Sequence, residues 1–275
     1  MIGSIAVVAV VAIGLVVAQP WQGDGAVEVN ATLAGAPRRA VPLRGSWPTT
    51  TTTTPSTLDP ATGISVSGPI GPPWPEGFVA ADAIVPAVPI YQAPDVPVPT
   101  HRTLPNPTVE GHKLVFLVRK QEGSWLQVQI NTRPNGATAW VRTSDVALRL
   151  VENHILIQLG AKRLTVFHGD KVVFTTSVAP GKASSPTPTG AFYVDILTRP
   201  SNPNGPYGPY QVSVTGFSNV YDSFGGGNGQ IAIHGTNRPE LIGTPASHGC
   251  VRMSNPDITT LVGLARQGTP VVIVA

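Results

Sequence analysis

Cysteine is almost absent from this 275-residue chain, because Cys250 is the only one. A single cysteine excludes an intramolecular disulfide, so it is an inert buried residue, half of an intermolecular bridge or a working thiol. Charged residues are scarce at 12%, about half the usual share. The sequence contains no long run of Lys or Arg, and its net charge is only +3. These values indicate an ordinary solvated surface, and nucleic acid is not expected as a partner.

Charge is missing altogether from residues 2–18, IGSIAVVAVVAIGLVVA. As a helix this segment would be about 26 Å long, at the short end of what crosses a bilayer. Small residues Val16 and Ala18 precede Gln19 as in a cleavable signal, but no Lys or Arg precedes the apolar run. We therefore predict that residues 1–18 are a signal peptide or a membrane anchor. The remainder is expected to be extracytoplasmic, in the cell envelope, and held at the membrane if the segment is not cleaved.

Residues 19–79 have little apolar surface with which to form a core. They include six consecutive threonines at 49–54 and the proline-rich segment 69–75. Such a composition does not offset the entropy of ordering the chain. We predict a Pro/Thr-rich disordered tether over this range.

Residues 80–149 show short alternating apolar runs separated by turns. Leu114, Phe116 and Val118 alternate, and Pro-Asn-Gly at 134–136 marks a turn. This spacing fits a small barrel, and the pattern resembles bacterial SH3-like modules. Two tryptophans, Trp125 and Trp140, either form a ligand groove or belong to the core, and the core is favoured.

Residues 150–275 are predicted to form a second β-rich unit. Strands are indicated at residues 154–159, 163–167, 171–178, 191–197, 210–214, 230–234 and 270–274. The one convincing helix begins at the cap Ser254 and ends before Gly268. The expected fold is therefore mostly β, with a small SH3-like β-barrel module followed by a β-sandwich domain that has one main helix. The Gly/Pro-rich stretch 198–229 suggests a flap over a cleft.

The thiol lies in the segment 246–254, ASHGCVRMS. If this segment is extended, His248 and Cys250 point to the same side, and an imidazolium there would stabilise a nucleophilic thiolate. Gly249 between them leaves room for backbone N–H groups to face a substrate oxygen. A second histidine, His234, falls at the end of the strand at 230–234. His234, His248 and Cys250 are also three plausible zinc ligands, which leaves a zinc hydrolase open.

His234-Gly-Thr followed by Ser247-His-Gly-Cys-Val-Arg252 closely resembles the signature of the L,D-transpeptidase catalytic domain, the YkuD type. These are cysteine acyltransferases of the bacterial cell wall, and the resemblance covers about 150–275. It implies Cys250 as nucleophile, His248 as its base, the Gly235 carbonyl as the third element and His234 as support. The N–H groups of His248, Gly249 and Cys250 would form the oxyanion hole. Ser247 and Arg252 would shape the site or hold a substrate carboxylate, although Arg252 could equally form a structural salt bridge. In the stretch 198–229, Tyr207 and Tyr210 are either substrate contacts or residues that only pack the flap.

The resemblance also implies partners and a reaction. The expected partners are peptidoglycan stem peptides and, as covalent inhibitors, carbapenem-type β-lactams. The expected product is a 3→3 cross-link made through a thioester on Cys250, and no metal or organic cofactor is expected. Two further alternatives stay open: an L,D-carboxypeptidase that uses the same acyl-enzyme, and a non-enzymatic wall-binding protein.

Overall fold

The computed structural model of the chain describes residues 57–59, 64–66, 77–98 and 102–275. The predicted signal or anchor segment, and most of the predicted tether, lie outside these residues. The longest helix in the described ranges has ten residues, and none there could span a membrane. Strands dominate, and the prediction of a mostly β protein with one main helix is confirmed.

The first sheet belongs to a unit that we call the β-module, residues 57–151. Its strands are β1 Thr57–Asp59, β2 Ile64–Val66, β3 Phe78–Ala83, β4 Ala87–Pro89, β5 Tyr91–Ala93, β6 Val96–Pro97, β7 Thr103–Pro105, β8 Val115–Glu122, β9 Trp125–Gln129, β10 Ala137–Arg142 and β11 Val146–Val151. A 3-10 helix, Thr143–Asp145, precedes β11. The main order is β1-β2-β10-β9-β8-β3-β11, with β5 and β6 joined at β10, while β4 and β7 pair separately. The SH3-like type of this module stays a prediction.

Strands β1 and β2 fall within the segment predicted to be a disordered tether. They pair with each other, and β2 pairs with β10 through Val66 and Ala137. The structure therefore has paired strands at 57–59 and 64–66 within the predicted tether, whose bounds stay a prediction. Composition favoured solvated chain there, but the edge of β10 offers backbone partners that composition does not reveal.

The core of the β-module is mostly aliphatic, with Phe116 as its aromatic member. Alternate residues of β8 and β9, such as Phe116, Val118, Leu126 and Val128, point inward and are buried. The two tryptophans are also buried, at 6% exposure for Trp125 and 8% for Trp140. The core interpretation of both tryptophans is confirmed.

The second sheet belongs to the C-terminal domain. Its strands are β12 Asn153–Gln158, β13 Arg163–His168, β14 Lys171–Ser177, β15 Gly190–Thr198, β16 Gln211–Phe217, β17 Gln230–His234, β18 Val251–Arg252 and β19 Pro270–Val274. The order is β14-β13-β12-β19-β15-β16-β17-β18. Only the pairs β12·β19 and β17·β18 are parallel. A 3-10 helix, Pro239–Leu241, precedes the segment that carries the cysteine.

Helix α1, Asn255–Leu264, begins where its sequence predicts. The Ser254 hydroxyl accepts a hydrogen bond from the Asp257 N–H and donates one to the Asp257 carboxylate. This cap satisfies one of the free N–H groups of the first turn. The buried side chains of Ile258 and Leu261 attach the helix to the sheet. The helix ends at Leu264, before Gly268 as predicted, and the chain then turns towards β19.

Strand β16 divides the predicted flap at 198–229. The result is two separate loops, residues 199–210 and 218–229, which we call the first and second site loops. The strand predicted at 210–214 is therefore present inside this stretch, and the covering of a cleft by its loops stays a prediction. The residues 211–217 alternate as a strand should, and β16 pairs with β15 and β17.

Buried polar and apolar contacts join the β-module to the C-terminal domain. The fully buried Gln129 donates to the Ala191 carbonyl at 2.8 Å, and the buried Tyr193 hydroxyl donates to the Val115 carbonyl at 3.1 Å. Leu117 packs with Ala191 and Tyr193 in the same region. The two units therefore share one packed boundary, because polar groups buried without water must find partners across it.

Candidate active site

The parallel pair β17·β18 brings the end of β17, with His234, beside the segment that carries Cys250. Ile233 lies opposite Val251, and His234 lies opposite Arg252. Paired residues of neighbouring strands point to the same face, so Cys250 and Arg252 share the face of Ala232 and His234. A hydrogen bond with the Ala232 backbone acts on the Cys250 thiol, in agreement with this register.

His234 is buried and has one ring nitrogen fixed. Its Nδ1 lies 2.6 Å from the Gly235 carbonyl oxygen. A carbonyl can only accept, so Nδ1 must carry the proton and Nε2 is left as the basic nitrogen. Burial lowers the pKa of His234 to about 4, although the Gly235 hydrogen bond opposes that shift; the charge of Arg252 adds to the lowering. The ring is therefore neutral near pH 7 and able to take up a proton.

Cys250 is partly buried and is a free thiol. Burial raises the pKa of the Cys250 thiol above its ordinary value, while hydrogen bonding to the Ala232 backbone and the charge of Arg252 pull in the opposite direction. This balance favours a neutral thiol over a resting thiolate. A neutral thiol next to a neutral imidazole fits proton transfer during nucleophilic attack, in the manner of general-base catalysis.

The segment before the thiol is bent rather than extended. Gly249 has φ of 124°, a backbone conformation that L side chains rarely adopt. The fully buried Ser247 hydroxyl accepts from the Gly249 N–H at 3.0 Å and donates to the Cys250 carbonyl. The enclosed hydroxyl of Ser247 thus holds this bend and shapes the site, while a contact of Ser247 with substrate stays a prediction.

His248 lies at the rim of the site. Its side chain is exposed, its Nε2 lies 3.4 Å from Lys182 Nζ, and its ring stacks on Phe224 with centroids 5.4 Å apart. The alternation that would set His248 and Cys250 on one face fails, because the bend at Gly249 interrupts the extended backbone. Among the residues that the structure describes, no carbonyl orients the His248 ring as Gly235 orients His234.

The predicted oxyanion donors divide into two sets. The Gly249 N–H is taken up by Ser247. Within the part of the chain that the structure describes, the N–H groups of His248 and Cys250 have no hydrogen-bond partner. These two groups flank the bend and remain able to donate to a substrate oxygen.

The predicted substrate contacts also separate into two kinds. Tyr207 meets the His234 ring edge to face at 4.9 Å, and its hydroxyl has a raised pKa from burial and from the Cys250 charge. Arg252 has no carboxylate partner among the described residues, and its buried Nε has no hydrogen bond. This gives the salt-bridge alternative for Arg252 no support. Tyr210 packs against the domain core, and its hydroxyl accepts from Arg199 at 2.9 Å, so a structural role accounts for it.

Several residues that build the site carry no signal in the sequence. Thr187 accepts from the Gly181 N–H and donates to the Gly249 carbonyl, so it fixes the far side of the bend. Asn255 accepts from the Thr236 N–H at 2.8 Å and holds the chain that follows Gly235. Thr187 lies about 60 residues from the cysteine, and only the fold brings it near.

The zinc alternative required three clustered ligands. No group of three or more His, Cys, Asp or Glu side chains in residues 77–98 and 102–275 is arranged to hold a metal ion. His234 and His248 face different surroundings, as described above. The geometry therefore gives a zinc site no support.

Known proteins resemble the C-terminal domain of this chain. The L,D-transpeptidase catalytic domain model matches residues 152–273. The protein named "Putative L,D-transpeptidase YqjB" of Bacillus subtilis (strain 168) is 33% identical over 127 residues, which cover 44% of this chain and 70% of that protein. This chain belongs to the L,D-transpeptidase catalytic domain family. "Putative L,D-transpeptidase YkuD" of the same organism is 39% identical over 120 residues, which cover 44% of this chain and 65% of the relative.

The match to this family is confined to the C-terminal domain, so the curated L,D-transpeptidases share less than half of the present chain. Among solved structures, an L,D-transpeptidase from Mycobacterium smegmatis is 15% identical, with a TM-score of 0.39 and coverage of 58% of this chain and 90% of that one. The β-module is not part of the family match.

Proposed function

We propose that this protein is a cell-wall cysteine L,D-transpeptidase that forms 3→3 cross-links between peptidoglycan stem peptides. The observation that carries the proposal is the His234 ring, which is buried, neutral and oriented by the Gly235 carbonyl on the face that Cys250 shares. A nucleophile, a base and an orienting acceptor thereby occur together. The cell envelope is the proposed location, because the substrate is found there and residues 2–18 are apolar.

We assign the base to His234 rather than to His248. In the first step, the Cys250 sulfur attacks the carbonyl that links the third, diamino acid residue of a stem tetrapeptide to its terminal D-alanine. His234 takes the thiol proton and passes it to the leaving amine of D-alanine. The side-chain amine of a second stem then attacks the thioester, the C–S bond breaks, and the proton of the amine returns to the sulfur.

Three groups stabilise charge in this scheme. The N–H groups of His248 and Cys250 donate to the oxyanion, each donor being worth roughly a hundred- to thousandfold in rate. Arg252 lies on the same face and has no carboxylate partner among the described residues, so it is free to bind a substrate carboxylate. Carbapenem-type β-lactams are proposed to acylate the same sulfur. If water is the acceptor, the same acyl-enzyme makes the protein an L,D-carboxypeptidase.

The test is mass spectrometry of the protein and its products after incubation with a purified disaccharide-tetrapeptide. We expect an acyl adduct on wild-type protein and none on Cys250→Ala, and a 3→3 dimer as product. Free tripeptide without dimer would favour the carboxypeptidase. An adduct on Cys250→Ala would refute the proposal, and unchanged function of that variant would support the wall-binding alternative.

The base is tested with a matched pair of histidine variants. We expect His234→Gln to slow acylation by about 10²- to 10⁴-fold, the usual contribution of a general base. His248→Gln keeps the backbone N–H and should slow it by less than about tenfold, because only the rim contact with Lys182 and Phe224 is lost. The opposite order of the two effects would return the base to His248.

A further inference from the structure

The turn between β9 and β10 of the β-module reaches the second site loop, residues 218–229. Arg133 in this turn donates from Nη1 to the Ser218 carbonyl at 2.8 Å and from Nη2 to the Tyr221 carbonyl at 2.9 Å. Its guanidinium carbon also lies 5.0 Å from the centre of the Phe217 ring. A planar fork of donors holds two carbonyls in fixed geometry, which an ammonium group cannot do.

Asn135, two residues further on, completes the contact. Its Nδ2 donates to the Phe217 carbonyl at 2.8 Å, and its Oδ1 accepts from the Phe217 N–H at 2.8 Å. The side-chain amide thus pairs with the last residue of β16 as a neighbouring strand would. An ion pair from Arg133 to Asp222 is long at 3.9 Å and exposed, so it contributes little.

The loop held in this way carries the aromatic side of the site. The Phe224 ring stacks on His248, and the Tyr221 ring lies 6.4 Å from the same imidazole. Phe224 is 45% exposed, so one side of its ring faces solvent beside the bend that carries Cys250. Within the loop, Ser218 Oγ accepts the N–H groups of Val220 and Tyr221, but the carbonyls of Ser218 and Tyr221 are bound by Arg133.

We propose that Arg133 and Asn135 are positioning residues: the β-module holds the second site loop so that Phe224 and Tyr221 form a wall for the substrate next to His248. The β-module would then complete the substrate site of the C-terminal domain. The inference rests on the proposed function only in naming the stem peptide as the molecule that lies against this wall.

The experiment uses the whole chain and compares Arg133→Ala, Arg133→Lys and Asn135→Ala. Arg142→Ala is the matched control, because Arg142 lies in the same module and contacts Asp95 and Trp125, and among the described residues it has no hydrogen bond or ion pair to the C-terminal domain. Two quantities are measured. The first is amide hydrogen exchange across 218–229 without substrate. The second is the ratio of two rates at Cys250, acylation by the tetrapeptide and alkylation by iodoacetamide.

We expect Arg133→Ala to speed exchange in the loop and to lower acylation by about 3- to 30-fold. Alkylation by the small reagent should change by less than about twofold, because it needs no wall. Arg133→Lys should fall between the wild type and Arg133→Ala. Unchanged loop exchange, an equal loss in both reactions, or the same effects in Arg142→Ala would each overturn the proposal. If the wild type is not acylated, the proposed function fails, while amide exchange in the loop still decides whether Arg133 holds the second site loop.

Discussion

The ionisation state of the Cys250 thiol provides the sharpest test of the mechanism. Burial raises its pKa, and burial of His234 lowers the pKa of that ring to about 4, so both groups are neutral near pH 7. Because the pKa of the thiol lies above its ordinary value, only a small part of the sulfur is ionised at pH 7. Alkylation follows the thiolate, so its rate should rise about tenfold per pH unit between pH 6 and 8.

The assay is timed alkylation with iodoacetamide, read by intact mass. Because the chain has one cysteine, a single adduct reports on Cys250 alone, and Cys250→Ala gives the background. A resting thiolate–imidazolium pair would instead give a rate that is already high and level between pH 5 and 7. That level profile would refute both the neutral thiol and the general-base step derived from it.

Three further predictions concern two buried hydroxyl groups, those of Ser247 and Tyr193, and the buried carboxyl group of Asp195. Ser247→Ala leaves the Gly249 N–H and the Cys250 carbonyl unpaired, and should cost about 1–3 kcal/mol in urea unfolding together with slower acylation; equal stability would contradict the role of the hydroxyl. Tyr193→Phe removes the buried hydrogen bond to Val115 and should cost about 1–2 kcal/mol, measured in the same way, whereas no loss would show that the boundary between the units does not depend on it. Asp195 accepts a hydrogen bond from Gln230, and burial raises its pKa to about 6. The folded state therefore binds the Asp195 proton more tightly than the unfolded state does, and the protein loses stability as pH rises from about 4 to 6. Asp195→Asn should therefore gain stability relative to the wild type across that window, and parallel curves would exclude the raised pKa.

Much of the C-terminal domain could be predicted because its strands alternate plainly. Residues 163–167, 230–234 and 270–274 lie on strands with nearly the predicted bounds, and the Ser254 cap marks the start of the helix. These features are local, since side-chain alternation and capping depend on neighbours in sequence.

The errors arise where distant segments decide the conformation. The bend at Gly249 depends on Ser247 and on Thr187, and the latter comes from the loop between β14 and β15. Once the bend is made, the i and i+2 rule no longer places His248 beside the thiol. The orientation of His234 depends on the carbonyl of its neighbour, which no pattern of side chains reveals. The same holds for Arg133, whose partners lie more than 80 residues along the chain.

Strand β19 is the last strand in chain order, yet it lies in the middle of its sheet, between β12 and β15. The edge of β12 that faces β19 therefore stays unpaired until β19 is added, when Ile155 comes to lie opposite Val271. Until then, the hairpins β12–β14 expose an unpaired apolar border, of the kind that recruits other chains. Completion of the sheet is a late event with high contact order, so we expect slow folding and a nascent chain that benefits from being shielded before its last strand arrives.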